Sequence, residues 1–305
     1  MKLNKYIVSL LIASSAFTFT GCNDFLDRSP LGEFTEDDKP GGSLDGQVFN
    51  IYTLMRNYNI TAGIPAFLIH NVRSEDSEKG SDASDGADQA AMFDDFFYTT
   101  NNGSVKAYWT QNYTIIYQCN SVIETVEKGN LTDEGSQRNK GEAYFFRAYT
   151  YFNLVRAFGE VPLVTFHIND ASEANIPKTT VDKIYAQIDA DLKEAVKLLP
   201  QKWGAPYTGR LTWGAARSLQ ARTYMMRNDW NNMYAAANDV ISSGLYNLDT
   251  PYDQVFTDEG ENCGESVFEL QCTATPAKPA STDIGSQFCE VQGVRGSGEW
   301  NMGWG

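Results

Sequence analysis

Apolar residues recur at helical spacing through the middle of this chain. Leu44, Val48, Ile51, Tyr52 and Met55 share one face behind Ser43, a residue suited to capping. A short apolar stretch follows at residues 64–72. Val105, Trp109, Tyr113, Ile116, Ile123 and Val126 form one stripe and predict a long helix over residues 105–126. Val181, Ile184, Tyr185, Ile188, Leu192, Ala195, Val196 and Leu199 predict another, capped by Thr179 or Thr180 and stopped by Pro200. Residues 212–227 and 230–243 read as a helical hairpin, turned at Asn228-Asp229 and closed by Gly244. Small Ala215, Ala216 and Ala221 let its helices approach closely.

Residues 141–163, GEAYFFRAYTYFNLVRAFGEVPL, follow a different pattern. Tyr144, Phe145, Phe146, Tyr149, Tyr151, Phe152 and Phe158 point around the whole circumference of a helix. A helix that is apolar all round is buried on several sides, so this one is expected inside a sizeable helical body. Glu142 reads as its opening acid, Gly159 and Pro162 as its stop, and residues 128–139 as a polar connection before it. Beyond Tyr246 the helical period is lost. ESVFELQ at 265–271 alternates like a strand, and residues 273–305 are rich in Gly, Pro and Ser. The pattern predicts a mainly α fold with irregular loops and a short β element.

The N-terminus changes the picture of where such a body works. Lys2 and Lys5 precede an apolar stretch at residues 6–19, diluted by Ser and Thr and too short for a comfortable membrane span. Gly21-Cys22 follows at once, the arrangement a bacterial lipoprotein peptidase cleaves before its lipidated cysteine. Phe19 and Thr20 depart from the usual Leu and Ala/Ser of that motif. Residues 1–21 are thus read as a signal peptide and residues 22–42 as a tether carrying lipid on Cys22. Loss of Lys2 and Lys5 takes the net charge from −15 to −17. Phosphates would be repelled, which argues against a nucleic-acid partner, and no polybasic membrane contact is available. Cys119 falls in a helical apolar pattern and is expected as a buried thiol, whereas Cys263 and Cys272 flank the strand-like run and could pair across a hairpin. Neither the cysteine spacing nor the two histidines, His70 and His167, fit a zinc pattern.

Several blocks together resemble one family. The string at 141–163 is similar to the central helix of RagB/SusD proteins. Trp109, Tyr113, Ile116 and Asn120 resemble the preceding helix block. Tyr185, Ile188, Asp191-Leu192, Ala195 and Leu199-Pro200 resemble the next. Gly209-Arg210, Ala215-Ala216, Leu219 and Ala221-Arg222 resemble the start of the following hairpin, and Ser243-Gly244, Tyr246 and Leu248 its close. Ala221, Tyr224, Asp229-Trp230 and Val240-Ile241 add a loose tetratricopeptide-like pattern.

The resemblance implies a SusD-like helical base over residues 43–248 with tetratricopeptide-like hairpins, and residues 249–305 as the start of an incomplete C-terminal region. Family members continue past this point, so the chain reads as truncated. It further implies a non-catalytic, lipid-anchored protein on the outer face of the outer membrane. Such a protein captures oligosaccharide, or peptide in some members, and delivers it to a SusC-like TonB-dependent transporter. A purely structural tetratricopeptide-like adaptor is the alternative.

Sugars are bound by aromatic faces and by polar side chains that take the hydroxyls. Three places offer both. Arg73, Glu75, Asp76, Asp82 and Asp85 sit in an acidic Ser/Gly-rich loop, a composition that also suits plain solvation. Tyr98, Asn101 and Asn102 combine a ring with two amides in FFYTTNN. Trp300 and Trp304 stand among glycines, either as a ligand platform or as packing surface for chain that follows. Trp109 and Asn120 are expected in the core, and Arg147 and Arg156 are expected to hold neighbouring loops, since buried guanidiniums need partners. The spacing of Asp82, Asp85 and Asp88 does not match an EF-hand, so no metal is assigned, and no cofactor is implied. There is no HExxH, no GxSxG and no phosphate-binding glycine loop, so no catalytic residue is assigned.

Overall fold

A computed structural model describes residues 43–80, 87–205 and 207–272. Eight helices account for most of them: α1 (Leu44–Met55), α2 (Ile64–Phe67), α3 (Ala87–Asp94), α4 (Gly103–Lys128), α5 (Glu134–Phe158), α6 (Val181–Leu198), α7 (Trp213–Met226) and α8 (Trp230–Ser242). Tight helical turns at Tyr58–Ala62 and Leu68–Val72 flank α2. Two short strands, β1 (Val161–Pro162) and β2 (Lys178–Thr179), pair antiparallel with Val161 opposite Thr179.

Helix α5 lies at the centre and packs chiefly on α6 and α4, with α1 and α7 at its other sides. Ala143, Phe146, Ala148, Tyr151, Phe152 and Leu154 are buried on successive faces, as an all-round apolar helix requires. Gly141 permits the close approach of α6, because a Cβ there would lie 2.9 Å from the Cβ of Leu198.

Two sequence expectations are corrected around α5. The helix starts at Glu134, capped by the Asp133 side chain on the Ser136 amide, so residues 134–139 are helical rather than connecting. Glu142 therefore sits two turns inside the helix instead of opening it. It is fully buried and binds Arg210 through Nε and Nη2, while the Tyr52 hydroxyl donates to it at 2.5 Å. Arg210 also donates to Asn139 at 2.6 Å and to Asp45 at 3.3 Å, and its guanidinium lies 4.2 Å from the Trp203 ring centroid. The Tyr52 hydroxyl accepts the Leu211 amide at 2.8 Å. This cluster joins α1, α5 and the approach to α7. Gly209 precedes Arg210 with a φ of +91°, a conformation that side-chain-bearing residues rarely adopt.

A third correction concerns residues 265–271, which form no strand. Val267, Phe268 and Leu270 pack on the core through irregular backbone, and Phe268 meets Tyr52, Phe145 and Phe146 edge-on. Cys263 and Cys272 are free thiols, and Cys119 is buried as expected.

Candidate functional site

The turn between α3 and α4 gathers exposed aromatic surface. Helix α3 ends at Asp94, and Phe96 takes a left-handed φ of 55° that swings the chain away. Phe96, Phe97 and Tyr98 are all exposed. The Tyr98 ring stacks on buried Phe93, with centroids 5.0 Å apart and planes within 15°. Arg73, just after the Leu68–Val72 turn, donates from Nη1 to the Tyr98 hydroxyl at 3.1 Å. Tyr98 and Arg73, 25 residues apart in sequence, thus form one corner. It offers a ring face and guanidinium donors, which is chemistry for binding a hydroxylated ligand.

The remaining candidates divide. Glu75 and Asp76 are exposed on the same loop as Arg73, and Ser74 and Asp76 shape its turn through the Asp76 amide. The Lys79 amide donates to Asp94, which ties that loop to α3. Asn101 is exposed just before α4. Asn102 is buried, and its side-chain oxygen accepts the amides of Ser104 and Val105, so that oxygen caps α4. Asp82 and Asp85, Trp300 and Trp304, and the lipidation candidate Cys22 lie outside the described residues, as does the side chain of Asp88.

Phe93 was not singled out by sequence. It lies in a stretch dominated by Asp, Ser and Gly, and the only hint of α3 was the run Ala90-Ala91-Met92.

Beneath the corner, His70 holds the Tyr108 hydroxyl at 2.7 Å through Nε2. Burial, with the charges of Arg156 and Arg73, lowers the His70 pKa from 6.5 to about 4. The imidazole is neutral near pH 7 and braces the wall behind Arg73.

Further along, the predicted buried arginine does what its burial demands. Arg147 pairs with Asp191 at 2.8 and 2.6 Å and donates to Asn120 at 2.7 Å. Burial opposes its charge, but the bonds and charge of Asp191 outweigh that and hold its pKa above the ordinary value. Asn120 in turn donates to the carbonyls of Val164 and Phe166 at 3.0 and 2.9 Å. Arg156 donates to Asn153 on its own helix, and its Nε is buried without a partner among the described residues. Among those residues, no group of three or more His, Cys, Asp or Glu side chains could hold a metal ion.

This architecture has relatives. A SusD-like family model, described as "Starch-binding associating with outer membrane", matches residues 24–225. SusD-like protein P2 of Formosa agariphila is 27% identical over 99% of this chain and 60% of its own length. The starch-binding protein SusD of Bacteroides thetaiotaomicron is 26% identical over 86% of this chain and 51% of its own. Among solved structures, a laminarin-binding SusD-like protein superposes with a TM-score of 0.73 at 25% identity, covering 83% of this chain and 57% of that one. The chain thus spans about 60% or less of the relatives it matches. The match over residues 24–225 covers most of the chain: the chain belongs to the SusD-like family.

Proposed function

We propose that this protein is a cell-surface nutrient-binding lipoprotein that captures oligosaccharide and hands it, chemically unchanged, to a SusC-like TonB-dependent transporter. The observation that carries the reading is the exposed aromatic corner of Tyr98 and Arg73 on a chain of this family. Relatives named for starch and laminarin binding support a glycan as the ligand class. The Gly21-Cys22 motif supports a lipid anchor in the outer membrane, facing outward. In this reading Arg73, Asp76, Asp82, Asp85 and Asn101 take sugar hydroxyls and Tyr98 takes a ring face. Trp300 and Trp304 are further stacking candidates, and Asn102 contributes through the helix cap it makes.

The test is affinity electrophoresis of the chain from Cys22 in gels containing laminarin, soluble starch, xylan or galactomannan. Retardation by at least one polymer is expected, weakened about tenfold in Arg73→Ala/Tyr98→Ala, as loss of one stacked ring and its donor predicts. No retardation by any polymer would sink the glycan reading. Pull-down from outer membranes should recover a transporter. Labelled palmitate should be lost on Cys22→Ala.

A second reading, a protein-binding adaptor, is favoured by one specific observation. Helix α8 presents Trp230, Tyr234 and Ile241 to solvent, which is more apolar surface than one hairpin needs. That reading expects Arg73→Ala/Tyr98→Ala to leave every function unchanged.

A further inference from the structure

We propose that a groove along α4 is a second saccharide site that takes neutral pyranose rings, an inference that rests on the glycan-binding reading. Trp109, Tyr113 and Tyr117 recur every four residues on α4, so their rings follow one face for about 12 Å. Phe166 stands across from them beside Val164, and the space between has a volume of 560 Å³, within the usual range of small-ligand sites. Tyr117 and Phe166 remain 45% and 46% exposed.

Exposed rings are common. Here they stand on a firmly fixed backbone. The Phe166 wall is held from below by three buried side chains. Asn120 donates to the carbonyls on either side of Thr165, and Arg147 donates to the Thr165 carbonyl at 3.3 Å. The Tyr151 hydroxyl accepts the Val164 amide at 2.7 Å. The Trp109 and Tyr113 rings support each other at 5.0 Å, and the Tyr117 ring lies 4.4 Å from that of His167. The Tyr113 hydroxyl donates to the Pro162 carbonyl. Little ordering remains to be done when a ligand arrives, and such preorganisation favours affinity.

The chemistry of the lining selects the ligand. Ring faces suit the apolar faces of a pyranose, and Thr110 and Thr114 add hydroxyl-bearing side chains to the lining. No charged side chain lines the groove, and Glu124 and His167 beside it lie 3.6 Å apart. On a chain of net charge −15, an anionic sugar would find no counter-charge there and a repulsive field around it.

The test uses the whole chain and four neutral polymers: laminarin, soluble starch, xylan and galactomannan. Tyr117→Ala/Phe166→Ala should weaken the binding shown by the parent about tenfold while far-UV circular dichroism stays unchanged. Tyr117→Leu/Phe166→Leu, which keeps the volume and removes the ring faces, should weaken it similarly, and Tyr117→Phe should not. Adding the bound polymer should shift tryptophan emission in the parent and shift it less in the double variants. If the parent binds and both double variants bind within twofold of it, the groove is not a saccharide site, and the glycan reading survives through the Tyr98 corner. If the parent binds none of the four, both fall together.

Discussion

Helices α5 and α8 are both rich in large apolar side chains, and they meet opposite fates. In α5, Phe146, Tyr151, Phe152 and Leu154 are buried almost completely, and even Arg147 and Glu142 are enclosed. In α8 the one buried residue is Ala236, while Trp230, Tyr234 and Ile241 are 55%, 69% and 77% exposed. The difference lies in the neighbours. Helix α5 is surrounded by α1, α4, α6 and α7, whereas α8 packs chiefly against α7. Aromatic content alone therefore does not decide burial. Position in the stack does, and the charges follow: Glu142 and Arg147, enclosed in α5, are held by buried partners, whereas Asp239 on α8 pairs with Arg217 at the surface.

The comparison can be broken most severely at Arg147. Arg147→Met leaves Asp191 enclosed without its cation and Asn120 without its acceptor role. A loss of about 3–5 kcal/mol is expected in urea unfolding. Arg147→Met/Asp191→Leu should recover a large part of it, because the cost comes from the orphaned charge. If the single and double variants are equally destabilised, the pairing is not what holds the two helices.

Acid should act next, through His70. Its folded pKa, about 4, lies below the unfolded value near 6.5, so the unfolded chain binds the proton first. Stability attributable to this residue is full above pH 6.5, is lost as pH falls toward 4, and changes no further below that. The total is on the order of 3 kcal/mol at most, from 1.36 kcal/mol per unit of pKa difference. Comparing unfolding midpoints of the parent and His70→Gln from pH 7 to pH 4 isolates the contribution. Parallel curves would remove His70 from the account.

The smallest effect is expected on α8. Trp230→Ser and Tyr234→Ser should change stability by no more than about 0.5 kcal/mol, as for surface positions generally. They should also reduce binding of a hydrophobic dye, since they remove part of an exposed apolar face. A loss of several kcal/mol would mean that this face is packed rather than open.

Much of this was legible in the sequence. The stripes of α4 and α6 carry their own period, and the all-round aromatic pattern of α5 announces an inner helix. The start of α5 was harder to see, because residues 134–140, EGSQRNK, carry no apolar stripe to mark the period. The apparent strand at 265–271 misled for a related reason. Val267, Phe268 and Leu270 alternate with polar residues because the segment lies across a core surface, and irregular backbone can do that as well as a strand. Of the corner, Arg73 and Tyr98 were visible as residue types in loops. Their meeting was not, since no local rule links positions separated by a short helix. The Phe166 wall was missed altogether, because nothing near residue 166 reveals that Asn120 and Arg147 fix it from other helices.

By itself the sequence determined the helical class, the family and the inner place of α5, since each is written in local spacing or in a contiguous string. Only the tertiary structure decided that Glu142 is a buried partner of Arg210 rather than a helix-opening acid. It likewise decided that Arg73 reaches Tyr98, and that rings from α4 and from the loop after β1 face each other across one groove. Local pattern fixes which way a side chain faces on its own element. What it meets there depends on contacts across dozens of residues, and those exist only once the helices have packed.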